Sequence, residues 1–115
     1  MDAINQKSSP VVCKLTDKEF KIRIEFLRAT IFSQVKMIKE LTDGYEYVFE
    51  QPQEFSLQLA ELIVYERQCC PFFHFFLNFE PENGPVKLQI VGSKEIKQML
   101  FTLISESDLK QKLKD

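Results

Sequence analysis

The sequence predicts an α+β fold, in which a four-stranded, largely antiparallel sheet carries helices on one face. Two turn signals, Thr42-Asp43-Gly44 and Glu82-Asn83-Gly84, lie between segments of alternating apolar residues, a pattern typical of β-hairpins. A segment with apolar residues at helical spacing follows each hairpin. The chain therefore contains two strand-turn-strand-helix units, over residues 34–68 and 72–104, which we expect to pack in layers around one core.

A further helix is predicted from about Asp17, ahead of the first unit. Thr16 and Glu19 have the spacing of a capping box, which satisfies backbone N–H groups at the start of a helix. The apolar residues at helical spacing are Phe20, Ile24, Leu27 and Ile31. Apolar and charged residues also alternate over 20–26, as in a strand, and the capping box decides in favour of the helix.

Turn residues and prolines set the bounds of the other elements. Strands are predicted over residues 34–40, 45–50, 72–79 and 86–90, and helices over 54–68 and 94–104. The Asp-Gly pair of the first turn is expected to supply the positive φ that a tight hairpin needs, and the second turn is of the Asn-Gly type. Pro71 disfavours helical geometry at the residue before it, so the second helix should end at or just before Cys69 and Cys70.

The length and charge of the chain indicate a single domain. Of the 115 residues, we assign 10–104 to this domain, 1–9 to a flexible tail and 105–115 to a charged C-terminal tail. The net charge of −2, with both signs interspersed, provides no basic surface for nucleic acid. No segment approaches the roughly 20 apolar residues that cross a bilayer, and the N-terminus has no apolar leader. A cytoplasmic location is therefore expected.

The stretch from Glu66 to Phe76 concentrates the residues that carry chemistry. It holds Cys69 and Cys70 side by side and, four residues later, the only histidine, His74. Adjacent thiols can share a soft metal or metalloid ion such as Hg²⁺ or trivalent arsenic, with Cys13 and His74 as further candidate donors. The spacing of these residues fits no standard zinc motif. The alternative is a structural role, because free cysteine is often buried.

Charged neighbours of the cysteine pair are candidates for tuning its ionisation. Glu66 precedes the two thiols by three and four residues, and Arg67 can lower a thiol pKa. The negative end of the helix opposes a second negative charge, so a strongly activated nucleophile is not expected. No catalytic residue is assigned, and a thiol-dependent redox protein is a further, weaker hypothesis.

The predicted strand over 72–79 is apolar on both faces. Phe72, His74 and Phe76 would share one of these faces because side chains alternate along a strand. Helices on one side of the sheet leave that face uncovered, so Phe72 and Phe76 indicate either a homodimer interface or a pocket. Cover by the N-terminal segment is the alternative. A homodimer through this face would make the protein a non-enzymatic interaction module with structural cysteines.

The run ERQCCPFFHFFLNFEPENGPVKLQIVG resembles the signature of a family of small, largely uncharacterised bacterial proteins. The family pattern is close to E-R-x-C-C-P-F, followed by an aromatic strand, E-P, a Gly-Pro turn and a strand that ends in glycine. Weaker similarity near Cys13 and Gly44 extends the match over about residues 11–104. The resemblance implies that the functional positions are Glu66, Arg67, Cys69, Cys70 and Pro71. Cys13 is a further, secondary position. The resemblance also implies a setting of heavy-metal resistance, and so favours capture of a soft metal or metalloid.

Overall fold

The computed structural model describes residues 18–50 and 52–114, which form an α+β fold with three helices and a five-stranded mixed sheet. The helices are α1 (Lys18–Phe32), α2 (Ser56–Cys69) and α3 (Lys94–Ser105). The strands are β1 (Met37–Leu41), β2 (Gly44–Phe49), β3 (His74–Phe79), β4 (Val86–Val91) and β5 (Leu113–Lys114). Short 3₁₀ helices cover Pro52–Glu54 and Asp108–Lys112. The predicted α+β class is confirmed, whereas the predicted tail over 1–9 and Thr16 of the capping box lie outside the described residues.

The sheet has the strand order β3-β4-β2-β1-β5. The hairpins β1–β2 and β3–β4 are joined by an antiparallel pairing of β2 with β4, and β5 lies parallel to β1 at one edge. The prediction of four strands is therefore wrong. The fifth strand consists of Leu113 and Lys114 alone, and two residues are too few to show the alternation by which a strand is recognised.

The hydrophobic core lies between the helices and one face of the sheet. Strand register places Tyr47 beside both Leu88 and Ile38, and all three residues are buried. The helices contribute Ile24, Leu27 and Ile31 from α1, Leu59 and Leu62 from α2, and Ile96, Leu100 and Ile104 from α3. The α1 residues are among those that helical spacing singled out, so the helix predicted for this segment is confirmed.

In the first hairpin, a residue without a side chain is required at Gly44 because the neighbouring strand lies too close for a Cβ, and not because of the positive φ that was predicted there. Within residues 18–50 and 52–114, no glycine has a positive φ. A Cβ on Gly44 would overlap the Ile90 carbonyl oxygen and lie 2.7 Å from the Val91 Cα. Gly44 therefore allows β4 to approach β2 closely. In the second hairpin, the positive φ falls on Glu82 (60°) and Asn83 (57°), which precede the glycine.

A charged tail was predicted over 105–115, and residues 105–114 of it pack against the domain. Ser107 Oγ accepts a hydrogen bond from the Leu109 N–H and caps a 3₁₀ helix. Lys112 Nζ then donates to the Val35 carbonyl oxygen at 2.7 Å, and β5 pairs with β1. Leu109 is partly buried against the core. The high charge of the segment concealed these contacts in the sequence.

Candidate thiol site

The end of α2 places the two adjacent cysteines beside the core. The helix ends at Cys69, as the sequence predicted, because Pro71 disfavours a further helical residue. The Cys70 N–H donates to the Glu66 carbonyl oxygen at 2.6 Å, and the Cys70 carbonyl oxygen accepts from the Phe73 N–H at 3.2 Å. The chain therefore turns directly after the pair. Both cysteines are buried, with 1% of Cys69 and 4% of Cys70 exposed.

The sulfur atoms of Cys69 and Cys70 lie 3.4 Å apart. One ligand atom from each of Glu66, Cys69 and Cys70 lies within 4.8 Å of the others, and all three residues are buried. Across the part of the chain that the structure describes, this is the one such group of three or more Cys, His, Asp or Glu residues. The structure thus brings together three of the residues that the sequence singled out.

Arg28 of α1 is the charged neighbour of the site that the sequence analysis missed. Its Nε and Nη2 donate to the two carboxylate oxygens of Glu66 at 2.7 and 2.9 Å, and Nη2 lies 3.7 Å from Cys69 Sγ. The hydrogen bonds to Glu66 raise the pKa of Arg28, so the guanidinium stays charged beside the sulfur. Arg67, which the sequence predicted in this role, is exposed on the last turn of α2.

A weak signal for the Arg28–Glu66 pair is present in the sequence. Arg23 and Glu61 form a second pair at 2.6 Å, and both pairs join residues 38 positions apart. The equal separations show that α1 and α2 run side by side in the same direction. The matched spacing of arginines and glutamates becomes informative only when this alignment of the helices is known.

The surroundings of Cys70 oppose its ionisation. The pKa of this thiol is raised from 9.0 to about 11. Burial is the main cause, the Glu66 carboxylate acts in the same direction, and Arg28 partly opposes the rise. At neutral pH, Cys70 is therefore a neutral thiol, in agreement with the expectation that the helix end does not activate a nucleophile. Cys70 is free, whereas Cys69 is disulfide-bonded, so a shared ion requires Cys69 to be reduced first.

His74, a further predicted donor, does not join the cysteine pair. It begins β3 with its side chain on the sheet face opposite the core, where its ring stacks on Phe76 with centroids 4.3 Å apart. It is exposed and is absent from the buried group around Glu66. Cys13, the remaining predicted donor, lies outside the described residues.

Phe72 and Phe76, predicted to share a strand face, lie in different surroundings. The turn after Cys70 includes Pro71 and Phe72, so β3 begins at His74, two residues later than predicted. Phe72 packs partly buried against the core, whereas 47% of Phe76 is exposed on the opposite face. The prediction of a shared face is therefore wrong for Phe72.

A pocket of about 820 Å³ lies beside the thiol site. Cys70 contributes a thiol to its lining, and the charged residues there are Arg28, Glu66 and Asp108. Its apolar lining comes from α1, α3, the sheet, the loop before β3 and the C-terminal segment, and includes Phe32, Tyr47, Phe73, Ile90, Leu100 and Leu109. The site thus combines buried sulfur with a large apolar surface.

No protein family, curated protein or solved structure matches this chain. The resemblance to the E-R-x-C-C-P-F family therefore stays a prediction from the motif. Within residues 18–50 and 52–114, none of the helices has the length and apolar character needed to cross a membrane. The function is accordingly inferred from the geometry of the site.

Proposed function

We propose that the reduced protein captures a thiophilic metal or metalloid ion through Cys69 and Cys70. The observation that carries this proposal is the 3.4 Å separation of the two buried sulfur atoms. Thiolates prefer soft ions to hard ones. The resemblance to a family in the setting of heavy-metal resistance supports the same function. A cytoplasmic location would keep both thiols reduced.

The separation of the sulfurs favours an ion with a narrow bond angle. An ion about 2.3 Å from each sulfur, the usual zinc–sulfur distance, would form an S–ion–S angle of about 95° at the observed 3.4 Å separation. Tetrahedral zinc needs a wider angle than this. Trivalent arsenic keeps a lone pair and forms a pyramid with angles only slightly above a right angle. The geometry therefore supports arsenic over zinc.

Capture proceeds by exchange of oxygen ligands for sulfur. Each thiol replaces one hydroxyl group of arsenous acid, and its proton leaves with that hydroxyl as water, so arsenic stays trivalent. Arg28 favours the thiolate that attacks, because its Nη2 lies 3.7 Å from Cys69 Sγ. Glu66 holds Arg28 in this position by accepting two hydrogen bonds. Glu66 and Arg28 are therefore positioning residues for the pair.

The test is the number of arsenic atoms bound per chain, counted by native mass spectrometry. The protein is reduced with a phosphine, which is removed before one equivalent of arsenite is added. We expect one arsenic atom per wild-type chain and none in the C69S/C70S double variant, with an unchanged circular dichroism spectrum. The C13S variant measures whether Cys13 adds a third sulfur. Arsenite binding by the double variant at the wild-type level would contradict the proposal.

A second candidate function is formation of a homodimer through the sheet face opposite the core. The supporting observation is the exposed stack of Phe76 on His74. Sedimentation over a series of concentrations is expected to show a dimer that F76S weakens. F26S is the matched control, because 52% of Phe26 is exposed on α1, away from this face. A mass that does not change with concentration would remove this candidate.

A further inference from the structure

We propose that the pocket between α1 and α3 binds a neutral, largely apolar small molecule whose carbonyl oxygen accepts a hydrogen bond from the Tyr47 hydroxyl. The inference goes beyond the proposed function, because it involves no metal ion and no reaction of a thiol. Two features of the molecule support it. One is the apolar lining of a pocket of about 820 Å³. The other is the buried Tyr47 hydroxyl in that lining, which has no hydrogen-bond partner among the residues that the structure describes.

Tyr47 lies on the core face of β2, where its side chain forms part of the pocket wall. Only 3% of the residue is exposed, and its ring packs against Phe32 with the centroids 5.5 Å apart. Within residues 18–50 and 52–114, no backbone or side-chain group hydrogen-bonds to its hydroxyl. Most buried hydroxyls have a partner, and a buried hydroxyl without one lowers stability. The unused hydrogen-bonding position therefore indicates a molecule that binds in the pocket.

The other nitrogen- and oxygen-containing side chains of the described wall have protein partners or contact with solvent. Arg28 and Glu66 hydrogen-bond to each other. The hydroxyls of Ser33 and Ser107 each donate to a backbone carbonyl oxygen. Asp108 is exposed. The tyrosine hydroxyl is thus the buried group of this wall that is left to bind a ligand.

Tyr47 acts as a hydrogen-bond donor in this site. Burial is the main cause that raises the pKa of its hydroxyl, and Tyr45 and Glu66 act in the same direction. The hydroxyl therefore keeps its proton at neutral pH. A ketone or aldehyde oxygen is an acceptor that carries neither a proton nor a charge, so it complements this donor.

The charges of the lining disfavour a carboxylate ligand. Among the described residues, the lining has one cation, Arg28, and two carboxylates, Glu66 and Asp108. Both oxygens of Glu66 already accept hydrogen bonds from Arg28, at 2.7 and 2.9 Å. A ligand carboxylate would therefore be buried beside like charges, which is costly, whereas a neutral carbonyl compound avoids this cost.

The remaining walls of the pocket fit an aromatic or aliphatic body. Phe73 and Leu100 supply apolar surface, and burial of apolar ligand surface against them is favourable. The volume of the pocket lies within the range of roughly 300–1,000 Å³ that is typical of small-molecule sites. Ala29 of α1 and Leu103 of α3 line the pocket and are exposed, so a ligand can enter between these helices.

The experiment compares benzophenone with diphenylmethane, which have the same rings and differ in the carbonyl group that joins them. Dissociation constants are measured by equilibrium dialysis for the wild type, Y47F and Y45F, with no metal and no reductant added. Y47F should weaken benzophenone binding about five- to tenfold and leave diphenylmethane binding within about twofold. Y45F is the matched control and should change neither value, because Tyr45 lies on the same strand face, is equally buried and does not line this pocket.

The position of the bound ketone is found by irradiation of the wild-type complex. The excited carbonyl takes a hydrogen atom from a nearby C–H group, and the two carbon radicals combine, so the carbonyl becomes a tertiary alcohol bonded to the protein. We expect the adduct on residues of the pocket wall, such as Met99 and Leu103, identified by peptide mass spectrometry. Diphenylacetate, a carboxylate of similar size, should bind more weakly than benzophenone.

Each result either supports the inference or removes a part of it. Equal weakening of both compounds by Y47F, or no weakening of benzophenone, would overturn the hydrogen bond assigned to Tyr47. Adducts confined to residues outside the pocket wall would overturn the assigned site, and this readout on the wild type does not depend on the folding of Y47F. Tighter binding of diphenylacetate than of benzophenone would overturn the neutral class. Absence of benzophenone binding to the wild type would overturn the whole inference and leave the proposed function untouched.

Discussion

The environment of Cys70 sets how this single residue reacts with electrophiles. Only 4% of the residue is exposed, and the Glu66 carboxylate lies beside it, so the charged thiolate is disfavoured. Arg28 acts in the opposite direction, because it lowers the pKa of Cys70, and its Nη2 lies 3.7 Å from the sulfur of Cys69. The net result of these opposing neighbours and of burial is a thiol that stays neutral at neutral pH.

The raised pKa predicts a steep pH dependence for alkylation of Cys70. With a pKa of about 11 in place of 9.0, about one thiol in a thousand is ionised at pH 8, compared with about one in ten in the unfolded chain. Iodoacetamide should therefore label native Cys70 about 100-fold more slowly than denatured Cys70 at pH 8, from ionisation alone. The native rate should rise about tenfold per pH unit until it levels off near pH 11.

The labelling rate is measured by mass spectrometry of the peptide that contains Cys70, in protein reduced beforehand. The C69S variant is the control that excludes transfer of label between neighbouring sulfurs. Equal native and denatured rates at pH 8 would show that the thiol is not shielded as described.

Residue identity made the cysteine pair predictable and left its electrostatic partner hidden. Adjacent cysteines followed by proline mark a thiol site at a helix end from the sequence alone. Arg28 is 41 residues from Cys69 along the chain, and it reaches the sulfur only because α1 packs beside α2. Arg67 is close in sequence and points to solvent, so proximity along the chain misdirected the prediction.

At the level of elements, α1 and α2 are joined by two arginine–glutamate pairs of unequal burial. In the Arg28–Glu66 pair the Glu66 side chain is 10% exposed, whereas Arg23 and Glu61 are 41% and 31% exposed. Removal of Arg28 leaves a buried carboxylate without its bidentate partner, which is costly. Exposed pairs contribute little.

The variants R28M and R23M test this difference. R28M is expected to lower the free energy of unfolding by about 2 kcal/mol at pH 7, because the Glu66 carboxylate loses its charged donor. R23M, on the same helix and with the same type of partner, is expected to have a much smaller effect. Urea denaturation monitored by circular dichroism gives both values, and equal losses in the two variants would contradict the role assigned to burial.

The pairing of β2 with β4 depends on the absence of a side chain at Gly44. In G44A the new Cβ would overlap the Ile90 carbonyl oxygen, and backbone atoms of the central strands cannot move away as a flexible side chain can. We expect a loss of about 2 kcal/mol or more in the free energy of unfolding.

G84A is the matched control for this variant. A Cβ on Gly84 would lie 3.0 Å from Glu80 Cβ and 3.1 Å from the Pro81 carbonyl oxygen, in a hairpin turn that has more freedom to adjust. Its loss in urea denaturation should be clearly smaller than that of G44A. A loss in G84A as large as that in G44A would show that the close approach of the central strands is not decisive.

The hairpins and helices were predictable because each carries a local signal. Alternation in Val86, Leu88 and Ile90 identified β4, and these residues are buried on one face. The start of β3 was placed two residues early, because the apolar run continues through the turn at Phe72. An apolar run shows that a segment is buried without showing where the backbone turns.

At the level of the whole molecule, the C-terminal segment completes both the sheet and the pocket. Leu109 lines the pocket, and Leu113 pairs with Ile38 of β1. Neither contact could be predicted, because it depends on where the end of α3 directs the chain. The segment is highly charged in sequence, whereas in the fold its leucines Leu109 and Leu113 pack against the core.

Truncation after Ser107 tests the contribution of this segment to stability. Loss of the partly buried Leu109 and Leu113 should reduce the free energy of unfolding by about 2 kcal/mol. The double variant L109S/L113S is the control for removal of the apolar contacts without shortening the chain. Unchanged urea denaturation in both would show that the segment does not stabilise the domain.

The most direct measurement on the central claim is arsenic X-ray absorption on the phosphine-reduced protein loaded with one equivalent of arsenite. The proposed capture by Cys69 and Cys70 predicts at least two sulfur neighbours around each arsenic atom. The C69S/C70S variant should show no more than one. An arsenic atom surrounded only by oxygen in the wild-type protein would contradict the assignment of this pair as a metalloid site.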